Sequence, residues 1–369
     1  MKILQCKPIC KTINCKYVKT TIKGVQYDKE FYYFYTLKNY NLMKHISILV
    51  PLGHSSLPNI DGTLQILSEV NNFAISNGED PIFDINLAGI ARKAVQRNGM
   101  YTIEPQCLIS DIKKTDLIII PAMHGNIEEA IKANAAFMPW IIEQHRNGAE
   151  VASLCIASFF LAATGLLTGK KCATHWVAAN QFRQLFPDVI LVDDKILTDE
   201  DGIYTSGGAY SFLNLLTYII EKYAGRDMAI RIAKSFMIDI DKKSQSPFII
   251  FAGQKEHPDA EIKKAQEFIE NNYDDMISVD KLATKHAIGR RSFERRFKKA
   301  THNTVVEYIQ RVKVEAAKRS FENTRKNITE VMYEVGYNDA RAFRDVFRKF
   351  TGLTPVDYRN KYHREMEAA

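Results

Sequence analysis

Hydrophobic positions in the first half of the chain follow two alternating patterns. Continuous aliphatic runs occupy residues 45–52 (HISILVPL), 116–123 (DLIIIPAM) and 150–155 (EVASLC). Such runs are typical of strands that are buried on both faces. Residues 63–76 and 126–147 between them have helical spacing, and the second segment ends next to an Asn-Gly stop signal. The alternation predicts an α/β domain in which helices sandwich a parallel sheet and functional groups gather at the carboxyl ends of its strands.

Helical patterns replace the strand pattern after about residue 224. Residues 226–237 are helix-like, and the stretch that follows contains the Ser, Pro, Gly and Lys residues that are common in linkers. Beyond it, helical spacing is interrupted only by turn residues. We therefore predict an α/β domain at residues 43–240, a linker at 241–258 and an all-α domain at 259–369.

The all-α half contains an internal repeat. A shift of 50 positions superimposes like residues, and two copies of one supersecondary unit are the simplest explanation. Each copy has a short helix, a tight turn and a longer basic helix, and a helix at residues 305–321, apolar along one face, is predicted to connect them. The coinciding pairs are Phe293 with Phe343, Phe297 with Phe347, Thr304 with Thr354, Tyr308 with Tyr358, and Leu282 with Met332.

Each copy carries its own cap and turn signals. In the first copy, Ser278 is expected to cap the short helix, and residues 287–289 (AIG) are expected to form the turn. In the second copy, Gly336 is expected to supply the turn, and Asn338 or Asp339 to cap the basic helix.

The phenylalanine pairs indicate how the two basic helices face. Residues four apart share one helical stripe, so these rings are expected to dock each helix on its own bundle and to turn the arginines outward. Residues 290–364 contain 19 Lys and Arg against 9 Asp and Glu, a net charge of +10. A solvated basic face would explain one such helix. Two helix-turn-helix units with a basic second helix at the same place favour DNA binding, because arginine suits guanine edges and phosphates.

Residues 336–359 (GYNDARAFRDVFRKFTGLTPVDYR) closely resemble the second helix-turn-helix and signature of the AraC/XylS family of bacterial transcription regulators, and residues 278–321 resemble its first unit and linker helix. The resemblance spans residues 260–364. It implies that the second helices, about 290–300 and 339–350, enter successive major grooves of double-stranded DNA. Carried over by position, the base or phosphate contacts are Arg290, Arg291, Ser292, Arg295, Asn338, Arg341, Arg344 and Arg348. At its exit the first copy departs from the second, with His302 and Val305 in place of Gly352 and Pro355.

The sharpest local feature of the α/β half is residues 152–167 (ASLCIASFFLAATGLL). An apolar strand leads to Cys155 and then to small residues that open a helix. Such a turn holds the backbone tightly, and a helix N-terminus lowers a thiol pKa and offers an anion site. His175 in the following CATHW stretch is a candidate base. The alternative is a small buried cysteine with a capping histidine.

This stretch, together with residues 116–125 and 204–216, resembles the DJ-1/PfpI-type, glutamine-amidotransferase-like superfamily over about residues 45–225. Its members include intracellular proteases, deglycases and chaperones, and one branch carries an AraC-type DNA-binding end. The resemblance implies a flavodoxin-like sheet. By motif position, Cys155 matches the elbow cysteine of the superfamily, and His175 matches the histidine of the regulator branch.

Several departures from the superfamily pattern argue against efficient catalysis. No carboxylate follows the first strand at residues 53–56, and Asp61 is expected to be too far along. The usual Pro-Gly-Gly is Pro-Ala-Met at residues 121–123, and residues 156–157 are bulkier than the glycine-containing versions. We therefore expect a pocket for a small molecule, without metal or cofactor. The residues expected near its floor are His124, Cys155, His175 and Ser206.

Two functions follow from these features. The first is a transcription regulator whose PfpI-like domain senses a small-molecule effector or forms a homodimer, and whose helical end binds promoter or operator DNA. The second is a cysteine-dependent amidase, hydrolase or deglycase that uses Cys155 with His175. RNA or an acidic protein is a third, less favoured partner, because RNA readers expose aromatics for stacking whereas the aromatics here have core spacing.

Composition adds two expectations. Apolar runs do not reach the ~18 residues that a membrane span needs, and the scattered cysteines fit a reducing cytoplasm. Residues 1–42 hold eight lysines against two acidic residues and have three cysteines without zinc-ligand spacing. We expect this segment to be a poorly ordered leader or an overlong start, with Met43 opening the folded protein.

Overall fold

The computed structural model describes residues 43–363, so the predicted leader lies outside the described residues. The first half of this region is an α/β arrangement. Its strands are β1 (Lys44–Val50), β2 (Phe83–Gly89), β3 (Ala94–Gln96), β4 (Tyr101–Ile103), β5 (Cys107–Leu108), β6 (Leu117–Ile120), β7 (Glu150–Ser153), β8 (Lys171–Cys172), β9 (Ile190–Leu191), β10 (Leu197–Glu200) and β11 (Ile203–Ser206). Its helices are α1 (Leu57–Ser76), α2 (Ile127–Ala133), α3 (Phe137–Arg146), α4 (Ser158–Ala163), α5 (Ala179–Leu185), α6 (Phe212–Ala224) and α7 (Arg226–Ser235).

The main sheet has seven strands in the order β10, β11, β7, β6, β1, β2, β5. Its interior pairings are parallel, as predicted, with Ile46 opposite Leu117 and Ile118 opposite Val151. The edge strand β10 instead pairs antiparallel with β11. Only two left-handed residues, at positions 201–202, separate these strands, and such a pair forms a tight hairpin.

Alternate residues of the central strands feed two separate cores, which confirms that these strands are buried on both faces. On β1, Ile48 packs into the core shared with α1, α6 and α7, whereas Leu49 packs into the core shared with α3, α4 and α5. Ile119 and Ile118 of β6 divide in the same way. Helices therefore sandwich the sheet, as expected for an α/β domain.

Two helices differ from their predicted bounds. The helix predicted from residue 63 begins at Leu57, because a proline lies in its first turn and suits that position. The single helix predicted at 126–147 is two helices, α2 and α3, broken at Asn134. The buried Asn134 side chain accepts a hydrogen bond from the Leu52 N–H at 2.8 Å and donates one to the Leu52 carbonyl oxygen at 3.1 Å. This tertiary contact ends α2.

The second half of the described region is helical. Helices α9 and α10 form the first helix-turn-helix unit, α12 and α13 form the second, and α11 connects them. Every helix of residues 43–363 is too short or too polar to span a lipid bilayer. The helices of this half are α8 (Ala260–Asn271), α9 (Val279–Lys285), α10 (Arg290–Thr301), α11 (Val305–Asn323), α12 (Ile328–Glu334), α13 (Ala340–Thr351) and α14 (Pro355–Tyr362).

The connecting helix α11 is shared by two cores. Its first turns place Tyr308 and Val312 in the core of the first unit. Its last turns place Ala317 and Phe321 in the core of the second unit. Because one continuous helix belongs to both cores, the two units are held at a fixed separation.

The repeat is not a uniform shift of 50 residues. The side chains of Ser278 and Asn327 cap the two short helices, and these caps are 49 positions apart. Leu282 therefore corresponds to Val331 rather than to Met332. The second helices α10 and α13 start 50 positions apart, so the turn of the second unit is one residue longer.

Candidate DNA interface and effector site

Each helix-turn-helix unit holds its second helix through two buried phenylalanines, as predicted. Phe293 and Phe297 of α10 are fully buried, and their ring centres are 5.8 Å apart. Phe343 and Phe347 of α13 repeat this geometry at 5.8 Å. Phe297 also meets Tyr308 of α11 edge to face at 5.3 Å. These rings dock the inner face of each second helix, so the opposite face is turned to solvent.

The residues expected to contact DNA lie on or beside these outer faces. Ser292 is half-buried, whereas the other seven are exposed. In the first unit, Arg290 donates from Nη1 to both carboxylate oxygens of Asp280 at 3.0 and 2.9 Å, so a phosphate would have to replace that contact. The exposed residues are Arg290, Arg291, Arg295, Asn338, Arg341, Arg344 and Arg348.

The predicted caps position these faces. Ser278 Oγ accepts a hydrogen bond from the Lys281 N–H at 3.2 Å at the start of α9. Of the two candidates for α13, the cap is Asp339, whose Oδ1 accepts from the Ala342 N–H at 2.6 Å. Asn338 precedes the cap and is exposed, which leaves its amide accessible to a ligand.

The two turns reverse the chain through left-handed residues. Gly336 has a φ of 73° in the second unit, and Ala287 has a φ of 50° in the first. A Cβ on Gly336 would lie 2.2 Å from the carbonyl oxygen of Asp274, so glycine is required there. The buried Lys313 of α11 donates to the carbonyl oxygen of Val335 at 2.9 Å, which ties the second turn to the connecting helix.

The two second helices end alike although their residues differ. His302 and Gly352 both adopt the left-handed C-cap conformation, with φ of 57° and 72°. The side chains of Thr304 and Thr354 then cap the helices that follow. The first copy therefore differs from the second at the end of this helix in its residues, but the backbone conformation is the same.

Arg296 has a positioning role that the sequence analysis missed. Its Nε and Nη2 donate to the carboxylate of Asp259 at 2.8 and 2.6 Å, and Asp259 Oδ1 also accepts from the Ile262 N–H at the start of α8. The hydrogen bonds from Arg296 are the largest cause that lowers the pKa of Asp259. Arg296 lies three residues after Phe293, so it lies at the edge of the helix face that carries the buried phenylalanines. This spacing in the sequence distinguishes it from the arginines on the outer face.

In the α/β half, Cys155 lies at the turn between β7 and α4. Its φ of 58° confirms the tight backbone expected there, and its side chain is buried. Burial raises the pKa of the thiol to about 11, against a smaller lowering by a hydrogen bond from the Ile156 N–H. A helix N-terminus can lower a thiol pKa, but desolvation outweighs that effect here, which agrees with the buried-cysteine alternative. The thiol is therefore protonated at neutral pH.

Of the other residues expected in the pocket, Ser206 is hydrogen-bonded to Cys155, whereas His175 is hydrogen-bonded elsewhere. At the end of β11, the buried Ser206 accepts a hydrogen bond from the Cys155 N–H at 3.2 Å. His175 is half-buried, and its Nδ1 accepts from the Val177 N–H at 3.2 Å, which caps the turn Trp176–Ala178. No hydrogen bond joins the thiol of Cys155 to His175. The histidine is thus a capping residue in this structure.

His124 lies in the loop after β6 and is exposed. Its N–H donates to the carbonyl oxygen of His54 at 2.6 Å. Partial desolvation by the surrounding loops is the main cause that lowers the pKa of His124, followed by the nearby Arg97 and His54. Burial, and then His124, likewise lower the pKa of His175. Both imidazoles are therefore neutral near pH 7 and can donate or accept hydrogen bonds.

Two segments were expected to differ from those that activate the cysteine in enzymatic relatives: the loop after β1 and the Pro-Ala-Met segment. Beyond β1, the buried Ser55 donates from Oγ to Gln96 Oε1 at 2.9 Å, in the region where enzymatic relatives were expected to have a carboxylate. The Ala122 N–H, in the altered Pro-Ala-Met segment, donates to Asn59 Oδ1 at 3.2 Å. That amide is already hydrogen-bonded, so it is not available to stabilise an oxyanion.

Gln245, within the predicted linker, is a second residue that the sequence analysis missed. It is 2% exposed, and its Nε2 donates to the carbonyl oxygens of Thr174 and Lys195 at 3.0 and 3.1 Å. A Cβ on Gly207 would lie 2.4 Å from that nitrogen. The linker is therefore anchored one residue away from two of the expected pocket positions.

An α/β domain followed by two basic helix-turn-helix units has the architecture of a DNA-binding regulator. A helix-turn-helix domain model matches residues 282–361, and a model of the DJ-1/PfpI family matches residues 78–222. The chain belongs to the AraC-type helix-turn-helix regulators that carry an N-terminal DJ-1/PfpI domain, and it is a DNA-binding transcription regulator.

Relatives of known class agree. The transcriptional regulator GbdR of Pseudomonas aeruginosa is 23% identical over 261 residues, which cover 70% of this chain and 69% of GbdR. The transcriptional regulator ArgR of the same organism is 26% identical over 220 residues, 58% of this chain and 66% of ArgR. The regulatory protein SoxS of Salmonella typhimurium is 30% identical over 95 residues, 26% of this chain and 89% of SoxS.

Proposed function

We propose that this regulator reads operator DNA with both second helices, α10 and α13, in successive major grooves. The observation that carries this proposal is the repeated geometry, in which each phenylalanine pair is buried and the arginines beside it are exposed. Arginine forks suit guanine edges and phosphates. The proposed contacts are Arg290, Arg291, Ser292, Arg295, Asn338, Arg341, Arg344 and Arg348.

Substitution in the second unit tests this proposal. Arg341→Ala with Arg344→Ala is expected to weaken binding to a DNA site selected from a random-sequence library by about a hundredfold, because each lost bidentate contact costs ~1–3 kcal/mol. Fluorescence anisotropy of labelled DNA measures the affinity. A smaller salt dependence is also expected, since fewer phosphates are neutralised.

The matched control removes the same charge elsewhere. Arg92 and Arg146 are exposed in the α/β half, so Arg92→Ala with Arg146→Ala is expected to leave DNA affinity within about twofold. Equal losses in the two double variants would contradict the proposed reading by α13.

We infer that residues 43–240 form the sensor domain, residues 241–258 the linker and residues 259–369 the DNA-binding domain.

The proposed effector is a small molecule bound with His124, Cys155, His175 and Ser206 near the floor of its pocket. Neutral imidazoles and the Ser206 hydroxyl supply hydrogen bonds there. Gln245 supports coupling, because the linker leading to the DNA-binding end is anchored beside this pocket. We further infer a homodimer and a cytoplasmic location.

Native mass spectrometry of the full-length protein tests the effector proposal. We expect a small molecule to copurify with the wild-type protein and to be lost from a His175→Ala with Ser206→Ala variant. A wild-type protein that carries the same adduct as the variant, or none, would contradict the proposed pocket.

Sedimentation equilibrium of the full-length protein tests the homodimer. A mass of two chains is expected at micromolar concentration. A mass of one chain at every concentration, with and without DNA, would remove the homodimer from the account.

The enzyme alternative has no support from the geometry of Cys155, and the relatives GbdR and ArgR are named transcriptional regulators. Full-length protein is therefore expected to show no turnover of amide or glycated substrates that depends on Cys155. Turnover that Cys155→Ala abolishes would reverse this conclusion.

A further inference from the structure

A cavity of about 350 Å³ lies between the α/β half and the helical half. Trp176, Arg183 and Asp193 line it from the α/β half, and Arg311 and Lys349 line it from the helical half. Its volume is at the lower end of the ~300–1,000 Å³ range that is usual for small-molecule sites. Because Lys349 belongs to α13, a molecule in this cavity would contact both the sensor half and a helix proposed to read DNA.

The guanidinium of Arg311, on α11, is the unusual group in this cavity. Its central carbon lies 4.7 Å from the ring centre of Phe350 and 5.6 Å from that of Phe251. Its Nε–H is buried and has no hydrogen-bond partner within residues 43–363. Arginine does not lose its proton in proteins. This cation is only partly open to solvent, so an anion that pairs with it would be favourable.

The carboxylates nearest to this cation are committed to other groups. The charges of Asp193 and Glu307 act on Arg311, but no ion pair joins either of them to it. Asp193 Oδ2 accepts from Arg183 Nη2 at 2.7 Å. Glu307 Oε2 accepts from the N–H and the hydroxyl of Thr304 at 3.0 Å each, as part of the cap of α11. Within residues 43–363, the guanidinium of Arg311 therefore has no direct ion pair with a carboxylate.

We propose that this cavity binds a small organic carboxylate with an apolar or aromatic body, and that Arg311 pairs with its carboxylate. A guanidinium presents donors in a planar fork that matches a carboxylate. Trp176 and Phe350 supply aromatic wall for the rest of the molecule. The site is distinct from the pocket at Cys155, and its existence does not depend on an effector there.

Equilibrium dialysis of the full-length protein with radiolabelled benzoate tests this site. Benzoate is expected to bind saturably at millimolar concentration, with one molecule per chain, and benzamide of the same shape is not expected to compete. Arg311→Met is expected to weaken benzoate binding by about tenfold or more, because a hydrogen-bonded charge pair is lost.

The control variant is Arg319→Met, since Arg319 is exposed on the same helix and does not line the cavity; its benzoate affinity is expected to equal that of the wild type. Arg311→Lys keeps the charge but loses the fork, so it is expected to bind benzoate more weakly than the wild type even if Arg311→Met does not fold. Wild-type affinity in folded Arg311→Met or in Arg311→Lys would overturn the proposal, as would the absence of saturable binding to the wild type.

Discussion

The two helix-turn-helix units reach one backbone with different residues. Ala287 and Gly336 are both left-handed in the turns, and His302 and Gly352 are both left-handed at the helix ends. Packing against the neighbouring backbone explains one of these choices. A Cβ on Gly336 would lie 2.2 Å from the carbonyl oxygen of Asp274. Glycine is therefore required where another backbone segment approaches, and at the other left-handed positions it is favoured but not required.

The units also differ in how they are anchored. A buried lysine, Lys313, holds the second turn through the Val335 carbonyl oxygen. In the first unit, the partly exposed ion pair of Arg296 with Asp259 ties α10 to the start of α8 instead. Stability of the first unit should therefore respond to pH through this pair.

The largest expected effect on stability is that of Gly336→Ala. We expect a loss of about 3 kcal/mol in the free energy of unfolding, because a left-handed alanine costs ~1–2 kcal/mol and overpacking adds ~1–3 kcal/mol. Urea unfolding followed by far-UV circular dichroism measures the change.

Gly352→Ala sharpens this prediction. The nearest atom to its new Cβ is the Ser246 Cβ at 3.9 Å, which is ordinary contact, so a loss of only about 1 kcal/mol is expected. Equal losses at Gly336 and Gly352 would show that packing does not distinguish them.

Ala287→Gly is expected to have a smaller effect of opposite sign. Ala287 is exposed, so the substitution relieves the left-handed strain without loss of packing, and we expect a gain of about 0.5–1 kcal/mol. Ala342→Gly, at an exposed helical position with ordinary geometry, is the control and is expected to lose about 1 kcal/mol. A loss at both positions, again measured by urea unfolding, would contradict the difference drawn between the units.

The smallest expected effect is the pH dependence of the first unit. The folded pKa of Asp259 is lowered by Arg296, so the pair contributes stability above the unfolded pKa of about 3.9 and loses it as the pH falls through the folded value. The stability difference between the wild type and Arg296→Met should be constant at neutral pH and shrink below about pH 4. Urea unfolding across that range measures it, and a difference that persists unchanged at the lowest pH would contradict the ion pair.

Features carried by periodic apolar residues could be predicted from the sequence. The continuous strands of the sheet and the two phenylalanine pairs have their own spacing, and the structure confirms both. The 49-residue offset was hidden because Val331 and Met332 are both apolar and both buried. Either residue fits the position of Leu282 on pattern alone.

Features that depend on tertiary contact could not be predicted from local pattern. The thiol pKa of Cys155 follows burial by distant segments and not the helix that follows it. Asn134 breaks a predicted helix through the backbone of Leu52. Gln245 is polar within a polar linker, so nothing in its neighbourhood along the chain distinguishes it as buried.

Selection from a random-sequence DNA library tests the central claim, that two second helices read DNA, most directly. The wild-type protein is expected to enrich a motif with two conserved segments about one helical turn, ~10 base pairs, apart. Arg291→Ala with Arg295→Ala should erase one segment, and Arg341→Ala with Arg344→Ala should erase the other. A wild-type motif with a single segment, or variants that lose affinity without any change of motif, would contradict the account.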